Sequence, residues 1–266
     1  MIFNNITAIF QKELRGYFTS PLIYIVTAFF WLLTGFFFVY LLLGKQGIIS
    51  EIATLERLGQ EVAVDVAYNF LLSFMGLMSG LIIFIVPVLS MNLYAEERKL
   101  KTLELLATSP ITNWMVALGK LLGVVCYFTF MMFPILIYEA IAFSSANPPI
   151  NLTVPLLAHL GLILLAAAIL SLGMFVSSLT DSTIFASIVT FVLIIFLWYL
   201  DGIGASISAN ISPQIGDIIS YLSLLKHYDN LIKGIFDTGS LVVFGSYIFL
   251  GLFLTASSIE TLRFQR

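Results

Sequence analysis

The chain has 266 residues, 60% of them apolar and 10% charged, with a formal net charge of −3. An ordinary soluble domain carries roughly 25% charged residues and hides its apolar ones behind polar outer faces, which the long apolar runs here do not permit. The composition excludes a water-soluble fold and makes lipid the solvent of most of the chain, and no nucleic-acid partner is expected.

In residues 1–20, Phe3, Ile6, Phe10, Leu14 and Tyr17 recur at helical spacing, with Asn4, Gln11, Lys12 and Arg15 on the other faces. This pattern predicts an amphipathic helix lying flat in the headgroups. A residue before proline is pushed out of the helical region, so Ser20-Pro21 ends that helix and turns the chain into the bilayer. The apolar run that follows is about twice a signal-peptide core in length, so it is expected to stay as an anchor, with no cleavable presequence.

About 20 apolar residues at 1.5 Å each cover roughly 30 Å of hydrocarbon. Six stretches reach that length or come within a residue of it: 22–43, 70–95, 114–143, 154–179, 182–200 and 241–259. Lipid offers no partner to a backbone amide, and the runs lack the alternation of barrel strands. The expected fold class is therefore an all-α polytopic membrane protein, one transmembrane domain over residues 1–266.

Only the third span holds acidic or basic residues, Lys120 and Glu139. At helical rise Lys120 lies about 9 Å in and is read as an anchor that snorkels to the interface. Glu139, about 38 Å along the same helix, is read as hydrated among the outer headgroups or as lining an exit vestibule. With both termini inside, Lys12, Arg15, Arg98, Lys99, Lys101, Lys120, Arg263 and Arg266 are cytoplasmic, and Lys45, Arg57, Lys226 and Lys233 lie outside. That bias predicts cytoplasmic termini.

Thr180-Asp181 leaves room only for a tight hairpin between the fourth and fifth spans, with Asp181 as N-cap, and Asn113 is expected to cap the third span. The outer segments 44–69 and 201–240 have room for short helices but not for a domain. Gly76-x-x-x-Gly80 and Gly119-x-x-x-Gly123 permit close helix contact. Cys126 stands alone in an apolar run and reads as a buried thiol. His159 and His227 are too far apart in sequence to suggest a shared ion, so no metal site is expected.

The segment 96–110, EERKLKTLELLATSP, links the second and third spans. Glu97 precedes Lys101 by four residues while Leu100, Leu103 and Ala107 line one face, which predicts a short amphipathic helix ended by Ser109-Pro110. Taken alone it fits a solvated connector. It is, however, similar to the motif of ABC-2 type permeases, in which a Glu and a basic residue precede Gly-Thr-x-Glu-x-Leu and a proline follows. Glu97, Arg98, Thr102, Glu104, Leu105 and Pro110 match, and Lys101 stands where that family has glycine. A second stretch, 221–244, resembles the segment before the last span in the gliding-motility and nitrous-oxide-accessory branch, with His227, Tyr228, Gly234 and Asp237 in place. That branch often continues with Arg-Asp, where this chain has Gly239 and Ser240.

The resemblance implies half of an ABC exporter in the bacterial inner membrane. Its parts would be an interfacial elbow helix at 1–20, a coupling helix at 96–110 and short re-entrant helices in the outer segment 201–240. It also implies a second permease subunit, as homodimer or heterodimer, and a cytoplasmic ABC ATPase dimer on separate polypeptides. ATP and magnesium would belong to the ATPase, since this chain has no Gly-x-x-x-x-Gly-Lys-Ser/Thr sequence, and the permease itself would be neither catalytic nor cofactor-bound. Glu97 and Glu104 are then expected as polar contacts with the ATPase, Leu103 and Leu106 as packing contacts, with Arg98, Thr102 and Pro110 completing the element. An ion-coupled carrier would show paired intramembrane charges, and an intramembrane hydrolase a His-Glu-x-x-His or Gly-x-Ser-x-Gly motif. A mechanical or accessory complex acting on an extracytoplasmic partner stays as the alternative.

Overall fold

The structure, a computed structural model, describes residues 2–45, 47–58, 65–103, 112–144, 146 and 150–264. Every regular element among them is a helix: α1 (Ile2–Thr19), α2 (Pro21–Leu43), α3 (Ile48–Arg57), α4 (Val66–Ser90), α5 (Ala95–Lys99), α6 (Asn113–Met131), α7 (Phe133–Ser144), α8 (Thr153–Leu179), α9 (Thr183–Asn210), α10 (Pro213–Tyr221), α11 (Leu224–Ile232) and α12 (Thr238–Phe264). Six segments are long and apolar enough to cross a membrane, built on α2, α4, α6 with α7, α8, α9 and α12. The side from which α2 sets out is called the near face below, and the opposite side the far face.

Local chemistry sets the boundaries. Ser20 is extended, with ψ 119°, ahead of Pro21 at the first turn of α2, as the proline requires. Asp65 caps α4 by accepting the Tyr68 N–H at 3.0 Å. Two expected caps move by one residue. Ser182, not Asp181, accepts the Phe185 N–H at 3.3 Å to open α9, while the Thr180 hydroxyl accepts the Ser182 N–H at 3.1 Å. Asn113 lies inside α6, and Thr112, extended at ψ 145°, takes the cap position without a side-chain bond.

The third span is two helices. Pro134 has no N–H for the fourth carbonyl back and its ring crowds that carbonyl, so the ladder breaks between Met131 and Phe133. The Ile135 N–H turns to the Met132 carbonyl, and the Met131 carbonyl is taken instead by the Trp31 indole N–H at 3.0 Å. Pro87, by contrast, is carried inside α4 without ending it.

α8 is the central helix and packs against α12, α11, α4, α6 and α9. Small residues let neighbours approach: a Cβ on Gly173 would fall on Ser90 and Thr190, and one on Gly251 of α12 would fall on Ser171. Of the two Gly-x-x-x-Gly stretches, Gly76 and Gly80 have nothing within 4 Å of a would-be Cβ, so that pair seats no neighbour among the described residues. Gly119 and Gly123 do seat a neighbour, and it is α1 rather than another span.

On the far face α9 runs well past the expected end at 200, to Asn210, and α10 folds back along it. Their backbones meet where Gly204 faces Gly216 and Ser220, leaving no space for a side chain. A Cβ at Gly216 would meet backbone atoms of Ser208 and Gly204, which cannot swing aside. Gly216→Ala is therefore expected to destabilise the protein by about 1–3 kcal/mol through overpacking. A thermal unfolding scan in detergent checks this, with Gly245→Ala, which meets nothing within 4 Å, as the control.

Candidate functional site

Lys120 sits two turns inside α6 and is only 2% exposed. An unpaired ammonium there would cost several kcal/mol, so the surrounding helices must supply negative charge. They do so from two directions. Glu13 of α1 lies with its Oε1 2.8 Å from the Lys120 Nζ, and Glu97 of α5 with its Oε1 at 3.1 Å. Lys12 closes the set at 2.8 Å from Glu97 and 3.7 Å from Glu13, giving two cations and two anions with no net charge. The Lys120 ammonium also stands 4.9 Å from the Tyr94 ring centroid, within reach of a cation–π contact.

The glycines of α6 make this approach possible. A Cβ on Gly119 would strike Ile9, and one on Gly123 would strike the Cβ of Glu13, so α1 lies directly on α6. Tyr17 finishes the seam, stacked on Tyr127 at 5.2 Å and donating its hydroxyl to the Leu89 carbonyl at 2.6 Å. Lys120 therefore does not snorkel, because a buried pair of carboxylates reaches it before the interface does. Burial works to lower the Lys12 ammonium, but the hydrogen bond and charge of Glu97, aided by Glu13, outweigh it and hold Lys12 above the ordinary lysine range.

The turn after α4 is clamped to the near end of α8. The Ser177 hydroxyl oxygen accepts the N–H groups of Tyr94 at 3.1 Å and Ala95 at 3.0 Å while donating to the Met91 carbonyl at 2.7 Å. Arg98 donates to the Ser178 carbonyl at 2.7 Å, satisfying one of the orphan carbonyls that end α8. The helix expected across 96–110 is shorter than that where it is described. It ends at Lys99, and Lys101 takes the left-handed conformation with φ 57°, the only non-glycine among the described residues to do so. The Thr102 N–H then returns to the Glu97 carbonyl at 3.0 Å, and the Thr102 hydroxyl reaches the same carbonyl at 3.2 Å.

Lys101 is the position at which the resembled motif carries glycine, and its backbone adopts the conformation that glycine prefers. Leu103 turns inward and is buried in the main core. Glu97 is turned inward too, whereas Glu96, Lys99 and Leu100 are exposed. Glu104, Leu105, Leu106, Ala107 and Pro110 lie outside the described residues.

On the far face, the residues expected in the outer segment come together around α11. His227 is buried; its Nε2–H donates to the Tyr221 carbonyl at 2.8 Å, and its Nδ1 shares a hydrogen bond with the Ser240 hydroxyl at 2.9 Å. Ser240, a position where the sequence departs from the resembled branch, is thus the histidine's partner. The Tyr228 hydroxyl donates to the Met75 carbonyl of α4 at 2.8 Å. Gly234 ends α11 at φ 79°, and Asp237 accepts the Gly239 N–H at 3.1 Å as α12 begins.

Glu139 is 3% exposed, so it is not hydrated among headgroups and does not open onto a vestibule in this structure. Its Oε2 lies 3.7 Å from Nδ1 of His159, which itself contacts the Pro155 carbonyl at 2.9 Å. Packing of α7 against α2 and α4, with His159 of α8 beside the carboxylate, accompanies its burial where length along the helix alone places it near water. Cys126 is exposed on the surface of the helix bundle, not buried.

Residues 7–266 match the model of the ABC-2 family transporter protein. The chain belongs to the ABC-2 transporter family. No curated protein matches it. As an ABC-2 family member with six membrane-crossing helices, it is a multi-pass permease component of an ABC transporter, and permeases of this family normally work with an ABC ATPase. In this permease the residues of the near-face motif divide by role in the fold: Glu97 joins the charge cluster, Arg98 caps α8, Lys101 makes the turn and Leu103 enters the core.

Removing one member of a buried ion pair strands the others, at a cost of roughly 3–5 kcal/mol. Lys120→Met is expected to destabilise the permease by about that amount, and adding Glu97→Gln to restore part of it, measured as a double-mutant cycle on thermal stability. Lys101→Gly relieves a left-handed residue that costs an L-amino acid about 1–2 kcal/mol, and it is expected to raise the midpoint of the same transition.

Proposed function

We propose that this chain is one half of an ATP-driven exporter of the bacterial inner membrane, with both termini cytoplasmic. In this reading α1 is the interfacial elbow, the near face is the cytoplasmic face, and the turn from Tyr94 to Leu103 with the segment after it is the coupling element. The observation that supports it best is the charge cluster, which ties the elbow helix, that turn and the third span at one point. A push delivered at the turn cannot stay local. It acts on α8 through Ser177 and Arg98, and on α1 and α6 through Glu97 and Lys120.

Each ATPase would bind ATP and magnesium, and closure of the ATPase dimer would drive a rigid-body rotation of the spans. A second permease subunit would complete the path. The contacts with the ATPase fall to outward groups, Glu96, Lys99 and Leu100, and to Glu104 and Leu106. Membership of the gliding-motility and nitrous-oxide-accessory branch is part of the proposal and rests on the 221–244 stretch, where Tyr228 ties α11 to α4 at Met75, about 13 Å along that helix at helical rise. This depth agrees with re-entrant helices on the far face.

The charge cluster and the docking contacts can be separated. Glu104→Lys is expected to lower recovery of the co-expressed ATPase by about tenfold, the worth of one charge-assisted contact, while leaving the thermal midpoint unchanged. Glu97→Lys is expected to lower the midpoint itself. Co-purification at matched membrane abundance measures the first, and equal recovery with unchanged ATP turnover would overturn the coupling assignment.

A further inference from the structure

A groove of roughly 380 Å³ lies between the near-face ends of α8 and α12. Its apolar lining is Phe175 and Leu179 on α8 and Leu254 on α12, and its polar lining is Arg98, Ser257, Ser258 and Thr261. On α12, residues 254, 257, 258 and 261 fall on one stripe at helical spacing. No carboxylate is among the lining residues.

The polar lining is rich in unspent donors. Arg98 commits one N–H to the Ser178 carbonyl, and its remaining N–H groups have no protein acceptor among the described residues. Serine and threonine hydroxyls within a helix can donate to the carbonyl four residues back. In α12, Ser246, Thr255 and Thr261 each do this, to Val242, Gly251 and Ser257. Ser257 and Ser258 form no such bond among the described residues, and both face the groove. One fixed cation, two idle hydroxyls and no carboxylate among the described lining residues define a site for an oxyanion with several acceptor oxygens.

We propose that this groove binds the phosphate headgroup of an anionic phospholipid, with Arg98, Ser257 and Ser258 as donors and the acyl chain lying along Phe175, Leu179 and Leu254. Position and apolarity select a lipid over a free anion. The groove opens at the ends of two membrane-crossing helices, where headgroups lie, and Leu179, the last residue of α8, is 54% exposed beside it. A free phosphate gains nothing from that apolar lining, whereas an acyl chain does. The uncompensated positive charge selects an anionic headgroup over a zwitterionic one. None of this depends on whether the chain couples to an ATPase.

Native mass spectrometry of the full chain in detergent, titrated with phosphatidylglycerol or phosphatidylcholine, tests the site. Wild type is expected to retain one phosphatidylglycerol under conditions that strip phosphatidylcholine, and the Ser257→Ala, Ser258→Ala pair to weaken that retention by about tenfold. Arg98→Lys, which keeps the charge and loses the planar fork, is expected to fall between wild type and Arg98→Gln. The serine pair carries the decision, because Arg98 also caps α8. Equal retention of the two lipids by wild type, or undiminished retention in the serine pair, would overturn the proposal. Release of bound phosphatidylglycerol by millimolar inorganic phosphate would assign the donors to a free anion and overturn it as well.

Discussion

Burying the ammonium of Lys120 beneath α1 and α5 is the constraint on which the near face depends. In a medium of low dielectric that charge must be matched at hydrogen-bond distance, and among the described residues Glu13 and Glu97 do so from across the helix seams. Their positions in turn require Gly119 and Gly123, because a methyl group at either would lift α1 off α6 and take Glu13 out of reach. Once Glu97 is committed inward, the α5 turn can no longer rotate freely, and the αL residue Lys101 follows as the way to bring Leu103 back into the core. A buried pair of this kind adds little net stability over an apolar isostere. Its physical effect is registry: the helices can dock only where the charges meet.

The six spans were readable because lipid removes the ambiguity between buried helix and buried strand, and length then decides. Helix ends were readable where proline or a capping side chain sets them, as at Ser20-Pro21, and were misplaced by a residue where two hydroxyls compete, as at Thr180 and Ser182. Lys120 was visible as an intramembrane charge but misread, since snorkelling is the default for a lone lysine near a span end. The signal that finds its partner lies in the first helix. Glu13 falls on the same stripe as Ile6, Phe10 and Tyr17, and a carboxylate within an apolar stripe calls for a cation on the surface it covers. Glu139 was misplaced for the opposite reason: distance along a helix locates depth, but only its neighbours decide whether water reaches it.

The two motifs behave differently once folded. In the near-face stretch each recognisable residue serves a separate structural need, so the pattern is one of backbone geometry as much as of contact chemistry. In the far-face stretch His227 and Asp237 make hydrogen bonds within the stretch, to Ser240 and Gly239, while Tyr228 reaches across to Met75 and ties α11 to α4. Ser240, beside His227, gives the ring a hydrogen-bonding partner at the start of α12.

The break at Pro134 divides the third span into halves with unlike attachments. α6 is bolted to the N-terminal helix and the α5 turn by ionic contacts, whereas α7 rests on α2 through the stacked rings of Phe38 and Tyr138. At the junction the proline has already removed a rung of the ladder, and the indole of Trp31 holds the carbonyl of Met131 from outside the helix. Flexing there breaks fewer main-chain bonds than flexing an unbroken helix, and an aromatic ring can follow the carbonyl as it tilts. The third span is therefore a jointed rod: rotation imposed on its ionic end can be taken up at the joint, and the far half can keep its own packing while the near half turns.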